Sequence, residues 1–397
     1  MPSRSPEPWP KADADLVLIG LSARTLAASA GRAGLRAVAI DLFGDEDTRA
    51  LAPTRRLNGA SQALAFEPEE VLRHLAAFPG VPVVLGAGFE AVPELIDAIA
   101  ARAPLLGNDG RTVAAFKDPF ALAGLLEQLG IAHPAVYAGA APAGRRVLEK
   151  QSGASGGGHV RRALQPEASP SPGCYLQDEV EGNSVSALFL GNGQAARLIG
   201  FSEQWCAPAP HAPFRYGGAA APLLLPAVQT AEVAGALNRL VAATGLRGLA
   251  SADLMLTATG WSLIEINPRP GATLDIFDRA PLPPLLHLHI AACRGVLPDE
   301  LPALATMPAC AAAVFYALSA LSIDQAPLPE WTADRPAAGS LIAAGAPLCT
   351  VLASGRDLPA ARRTAGQRMA ALSARLQDLN QKHEPTSRLA EAALPGE

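Results

Sequence analysis

One stretch, Ser251-Ala-Asp-Leu-Met-Leu-Thr-Ala-Thr-Gly-Trp-Ser-Leu-Ile-Glu-Ile-Asn-Pro-Arg-Pro-Gly271, constrains the fold more than any other part of the chain. Apolar and polar residues alternate on both sides of Thr259-Gly260, which is the period of a strand, so the stretch predicts a β-hairpin. A three-residue connection Ala258-Thr259-Gly260, with Gly260 in the left-handed conformation, sets Asp253 opposite Glu265. Alternation then sends Glu265 and Asn267 to one face, and Ile264 and Ile266 to the other, into a core. Facing carboxylates repel across a ladder unless a cation lies between them, and Mg²⁺ takes oxygen ligands while sharing its shell with water and phosphates. Asp253, Glu265 and Asn267 are therefore candidate magnesium ligands. The plain alternative is an exposed hairpin whose polar face meets water.

The chain around this hairpin has 397 residues, 49% hydrophobic and 17% charged, which excludes disorder, collagen and coiled coil. Single cores stop growing near about 250–300 residues, so two or three domains are expected. A net charge of -5 offers no field for nucleic acid or anionic lipid. No apolar run approaches the roughly 20 residues of a membrane span. Met1–Pro10 lacks the apolar core of a signal peptide, so a cytoplasmic protein is expected. Cys174, Cys206, Cys293, Cys310 and Cys349 are odd in number and widely spaced, suggesting neither a disulfide framework nor a zinc site.

After a Pro-rich leader, Asp15–Gly20, the helix-like Ser22–Gly34 and Ala37–Asp41 predict a βαβ opening. The apolar runs Val81–Gly86 and Leu105-Leu106, around the helix-like Val92–Ala103, extend it into a parallel α/β domain over residues 1–107. An α+β core is expected over 108–300. It has a helix near Asp118–Leu129, strands at 185–190, 196–201, 252–256 and 262–267, and a helix at about 227–244. A smaller α+β region follows over 301–384, with a tail at 385–397 that reads as frayed.

Lysine usage is an independent clue, because only Lys11, Lys117, Lys150 and Lys382 occur among 32 basic residues. An ammonium is a compact charge on a flexible stem, suited to a phosphate oxygen, which singles out the two interior lysines. Lys117 precedes a helix and Lys150 ends the strand-like Arg146–Lys150. Directly behind lies Gly153-Ala-Ser155-Gly156-Gly157-Gly158-His159, whose small residues let backbone N–H groups approach an anion. Two ordinary surface lysines and a flexible connector are the bland reading of each piece alone. No Walker loop or three-glycine Rossmann fingerprint is present. Asp41, about 20 residues past Gly20, keeps a nicotinamide dehydrogenase among the alternatives.

In their order these features resemble the ATP-grasp superfamily: Leu106-Gly-Asn108, Lys117-Asp118, Lys150 with its glycine loop, Gln177-Asp-Glu-Val-Glu-Gly182, Asp253, and Glu265-Ile-Asn-Pro-Arg269. The resemblance covers about residues 15–300. Gly339–Gly355 looks like the closing domain of carboligase-like members related to biotin carboxylase. Within that branch the chain most resembles the tyramine–glutamate ligases of methanofuran biosynthesis. The resemblance implies an ATP-grasp fold with an N-terminal parallel α/β (pre-ATP-grasp) domain, a lid at about 118–176 and a small C-terminal α+β region. It implies ATP held between two lobes, with Lys117 and Lys150 on the phosphates and Gly153, Ser155, Gly156 and Gly157 as the lid loop. Gln177, Asp178, Glu179 and Val180 become the hinge whose backbone reads adenine. Asp253, Glu265 and Asn267 become ligands of one or two Mg²⁺ ions. Arg269, with Lys150, becomes the catalytic stabiliser of charge on the transferred phosphoryl group. Relatives often bind ribose through an acidic residue near position 184, where this chain has Asn183-Ser184.

The implied activity is ligation of a carboxylic acid to an amine through an acyl phosphate, with glutamate and tyramine as the first pair to consider. A lid that excludes water would protect that intermediate. Phe201–Gly217 concentrates aromatic residues in a chain only 5% aromatic, which marks it as an acceptor loop or a Pro-stiffened surface loop. In it, Arg215 is a candidate to grip a carboxylate, and Trp205 or Tyr216 to pack on an aromatic amine. His287 and His289 lie two apart on a helix-like stretch, where side chains diverge, which disfavours a metal pair. The competing functions are a carboxylase-like enzyme activating bicarbonate and a regulatory module that holds ATP without chemistry. Expected partners are small molecules, with a second copy of the chain left open, and neither nucleic acid nor membrane.

Overall fold

The computed structural model describes residues 13–58, 65–323 and 328–383. The Pro-rich leader up to residue 12 and the expected tail at 385–397 lie outside them.

Strands Leu16–Gly20, Ala37–Asp41 and Val83–Leu85 are apolar except for Asp41 because helices cover both faces, as a parallel sheet requires. They pair in parallel with Thr54–Arg56 at one edge, in the spatial order 54–56, 37–41, 16–20, 83–85. The Asp41 carboxylate accepts hydrogen bonds from the backbone N–H groups of Ala23, Phe43 and Gly44. It is thereby spent on closing the first turns, so no free acid stands where a dehydrogenase would bind ribose.

An eight-stranded sheet forms the body, in the order 260–267, 247–257, 183–192, 196–206, 216–223, 309–316, 347–355, 332–333. Helix Ala227–Thr244 and the Leu122–Leu126 stretch of helix Pro119–Gln128 cover one face through Phe189, Leu237, Leu254 and Ile266. Helix Leu285–Cys293 covers the other, together with the underside of the N-terminal unit. Strands from both sides of residue 300 belong to this one sheet, because Tyr216–Leu223 pairs directly with Ala309–Tyr316. Helix Leu358–His383 packs on that C-terminal end. A four-stranded sheet, in the order 136–137, 174–178, 147–151, 161–162, makes a small lobe beside the edge strand Gly260–Asn267. All five cysteines are free. Among the described residues no helix is long and apolar enough to cross a membrane.

The hairpin forms with one difference from its expected geometry. Thr257 pairs with Gly260, so the connection is the two residues Ala258-Thr259, and a bulge between the Asp253 and Leu254 pairs leaves Ile264 unpaired. The bulge restores the residue that the shorter turn removes, and Asp253 still faces Glu265. It also changes which residues reach the core. Leu263 and Ile266 are buried against the helix 227–244 side, whereas Ile264 turns to the cleft beside Glu265 instead of entering the core.

Candidate active site

The small lobe and the hairpin edge enclose a cleft lined by Lys117, Lys150, Gly153, His159, Tyr175, Gln177 and Glu265. Local sequence places Lys117 there. Helix Gly110–Lys117 ends at it, where a cation suits the C-terminal dipole. The next residue, Asp118, caps helix Pro119–Gln128 by accepting from the N–H groups of Phe120 and Ala121, with Pro119 in the first helical position. Lys117 therefore closes one helix as well as preceding another. Its buried ammonium donates to Glu265 Oε1 and to Asn267 Oδ1, the latter at 2.8 Å.

Asn267 in turn donates from Nδ2 to Asp253 Oδ2 at 3.2 Å, which joins the three hairpin side chains and Lys117 into one cluster. Burial raises the Asp253 carboxyl above its usual range, and Glu265 across the ladder adds to this. Burial works the same way on Glu265, but Lys117 and Lys150 outweigh it and hold that carboxyl below its usual range. One carboxylate is thus firmly ionised while its neighbour resists ionisation, as expected for like charges in one site. Gln204, unnoticed in the sequence, donates to Asp253 Oδ1 at 3.3 Å and accepts from Ser184 Oγ at 3.1 Å. Ser184, near the position where the sequence resemblance implies a ribose contact, is thereby engaged.

Lys150 lies on strand Val147–Gln151 and donates to Gln177 Oε1 at 3.0 Å, both side chains being buried. Burial lowers its ammonium pKa, with Glu265 and Asp253 opposing. Asp178 and Glu179 point their carboxylates to arginines of the small lobe, Arg145 for the first and Arg146 and Arg162 for the second. Their backbone N–H groups are used as well, by Ala135 O and Arg146 O. Val180 N has no backbone partner among the described residues, which leaves it the free amide of the expected hinge.

The glycine loop turns over the cleft with Gly153, Gly156 and Gly157 all at positive φ. Gly156 O accepts from Tyr216 N at 2.9 Å, and a Cβ at Gly157 would stand 2.2 Å from Phe214 O. The loop is therefore docked on the aromatic segment. His159 at its end lines the cleft, with burial and then Lys150 pushing its pKa down.

Arg269 donates from Nε to Glu90 Oε1 at 2.6 Å. Burial opposes ionisation of Glu90, but Arg269 and Lys117 hold its pKa at about 2. Nothing in the sequence around Glu90 singles it out, since its partner lies 179 positions away. Asn108 supports the same corner, donating to Pro268 O at 2.8 Å and accepting from Arg247 N at 2.8 Å.

The three acceptor-loop residues separate. Trp205 lies on strand Ala196–Cys206 beneath the Arg362 guanidinium, 4.5 Å from its ring centroid. Arg215 donates to Ala207 O and Gly345 O and stacks on Tyr316 at 3.5 Å, so its planar fork ties loops together. Tyr216 begins the next strand, and its side chain lines a second cavity, described below. His289 accepts from Leu249 N through Nδ1 and meets Leu106 O through Nε2, and burial lowers its pKa to about 4. It is a neutral clamp between helix and sheet.

A family model described as "ATP-grasp domain" matches residues 117–273. No curated protein sequence matches the chain. Among solved structures, the chain is similar to the biotin carboxylase domain of a single-chain bacterial carboxylase, with a TM-score of 0.67 and 19% identity over 89% of this chain and 88% of that one. It is similar to the phosphoribosylamine–glycine ligase of Thermotoga maritima, at 0.66 and 15% over 89% and 95%. The L-amino acid ligase of Bacillus licheniformis is similar at 0.65 and 14% over 89% and 96%. Residues 117–273 thus match an ATP-grasp domain, and the chain as a whole has the ATP-grasp fold.

Proposed function

We propose that the chain is an ATP- and Mg²⁺-dependent, ADP-forming carboxylate–amine ligase. The observation that carries this reading is the convergence of Lys117 and Lys150 on Asp253, Glu265 and Asn267 in one cleft beneath the docked glycine loop. The donor set fits magnesium: two carboxylates and an amide oxygen are hard ligands too few to enclose an ion, which leaves positions for phosphate and water. Within the free cluster the Lys117 ammonium supplies the compensating positive charge. When bound, Mg²⁺ would neutralise charge on the phosphates and orient the terminal phosphoryl group.

The chain's own groups then divide the work. A carboxylate is a poor acyl donor because its leaving group would be oxide, so phosphorylation to an acyl phosphate must come first. Lys117 would exchange its carboxylate contact for a phosphate oxygen, and Lys150 would hold another from the strand opposite. Arg269, braced by Glu90, would meet charge developing on the transferred group. Val180 N is the backbone amide free to read adenine. The glycine loop on Phe214–Tyr216 would keep water from the intermediate until the amine attacks.

Glutamate with tyramine is the pair to try first, within an ADP-release screen over acids and amines. ADP release that needs both an acid and an amine supports the reading. Release driven by bicarbonate alone would favour the carboxylase alternative, which the biotin carboxylase likeness keeps in view. Nucleotide binding with no release under any pair would leave the regulatory module.

A further inference from the structure

A second cavity of about 740 Å³ lies between the N-terminal sheet, the Pro270–Asp275 stretch and residues 334–350. That volume suits a small molecule of drug-like size. Its walls are mainly apolar, with Leu21, Phe43, Val314, Leu341, Ile342 and Pro347 among them. Gly86, Pro270 and Gly271 also line it, so it opens beside Arg269 and the proposed phosphoryl site.

Acids outnumber the two arginines in its lining. Arg24 and Arg56 face it with Asp45, Asp275 and Asp334, while Asp41 and Asp47 stand close behind Asp45. Arg24 is not free to take an anion. Its Nε donates to Asp334 at 2.8 Å, its Nη1 to Asp275 at 2.8 Å, and its Nη2 to both acids. Asp334 is further held by Ser22 and Thr350. Asp45 differs from its neighbours. It is only 4% exposed, lines the cavity, does not cap the helix Glu46–Leu51 that follows it, and its carboxylate has no hydrogen-bond or ion-pair partner among the described residues. Burial first, then Asp41, Asp334 and Asp47, push its carboxyl up to about 8, with Arg24 opposing. A buried, unpartnered acid in an acidic surround calls for a cation. A metal ion is the weaker candidate, since among the described residues no group of three or more His, Cys, Asp or Glu side chains is arranged to hold one.

We propose that this cavity binds a primary amine carried on an apolar body, its ammonium against Asp45. The proposal rests on the ligase reading and gives the acceptor a place within it. Tyr216, whose N–H is held by the glycine loop, forms part of the wall and links the cavity to the lid.

Calorimetry on the full chain, with Mg²⁺ and a non-hydrolysable ATP analogue, compares 2-phenylethylamine with 2-phenylethanol and 3-phenylpropionate. The amine should bind at least about tenfold more tightly than either, and its affinity should rise as pH approaches 8, where Asp45 gives up its proton more readily. Asp45→Asn should weaken the amine about tenfold, abolish that pH dependence, leave affinity for the ATP analogue unchanged, and melt no lower than wild type. Equal binding of amine and alcohol, preference for the acid, or an Asp45→Asn variant that binds amine normally would overturn the proposal. So would a variant that melts lower, because the acid would then be partnered. The two readings separate cleanly. Amine-selective binding without ADP release for any pair defeats the ligase alone, and ADP release that persists with no amine selectivity in this cavity defeats the amine site alone.

Discussion

At the residue scale, the cluster on the hairpin is held by few contacts, each open to substitution. Lys150→Ala and Glu265→Gln should abolish amine-dependent ADP release while the melting temperature moves little. Lys150 has only neutral partners, Gln177 and the Tyr175 ring, and the amide oxygen left by Glu265→Gln can still accept from Lys117 while the repulsion with Asp253 is relieved. Arg269→Lys should lower kcat more than it raises KM for ATP, because an ammonium cannot keep the planar bridge between Glu90 and a phosphoryl oxygen. Glu90→Gln should copy that kcat-weighted loss in milder form, and steady-state kinetics on both variants decide it. A pure affinity loss in either would contradict the role given to Arg269. The oxygen set was legible in the sequence because alternation and cross-strand register are local rules, and so were the two lysines in an arginine-rich chain. Glu90, Gln204 and Asp45 were not, since each acquires its meaning from partners far away in sequence or from burial.

Elements explain why the register survived an error about the turn. The connection is one residue shorter than expected, and the bulge at Ile264 returns that residue before Glu265, so deleting Ile264 should leave a regular ladder in which Leu254 still faces Leu263 and Asp253 still faces Glu265. ADP release that survives the deletion would bear this out, and its loss with the helical circular dichroism retained would contradict it. The lid can be tested in the same manner. Gly156 and Gly157 both have positive φ, but only at Gly157 would a Cβ strike backbone, at Phe214 O. Gly157→Ala should therefore undock the loop and raise ADP release that yields no amide, whereas Gly156→Ala should cost only about 1 kcal/mol of backbone strain and stay coupled. The ratio of amide to ADP checks both. The sequence pointed to loops at these glycines, but not to their docking partner. Phe201–Gly217 was expected as a loop, and it divides into two strand ends around a short connection because Trp205 and Tyr216 belong to sheet positions.

Across the whole molecule, Arg24 ties three regions together through Asp275 and Asp334, in the way His289 ties Leu106 to Leu249. Arg24→Ala strands two buried acids and should cost about 3–5 kcal/mol, measured by urea unfolding. Asp45 gives stability a pH dependence of definite sign. Its native carboxyl keeps a proton up to about pH 8 that the unfolded chain has already lost, so stability falls as pH rises towards 8, by at most about 1.4 kcal/mol per unit. Above the ordinary histidine range His289 is neutral in both states and does not interfere. Asp45→Asn should flatten that decline. The parallel opening and the hairpin could be read from periodicity. The sheet that runs on past residue 300 could not, because it depends on a pairing of Tyr216–Leu223 with Ala309–Tyr316 that no local pattern announces. The central claim is a carboxylate activated by phosphoryl transfer in the cleft between the two lysines. Incubation with ATP, Mg²⁺, glutamate or another acid of the screen, and hydroxylamine tests it most directly. The account predicts hydroxamate and ADP in equal amounts, both lost in Lys150→Ala. AMP in place of ADP, or ADP with no hydroxamate for any acid, would contradict it.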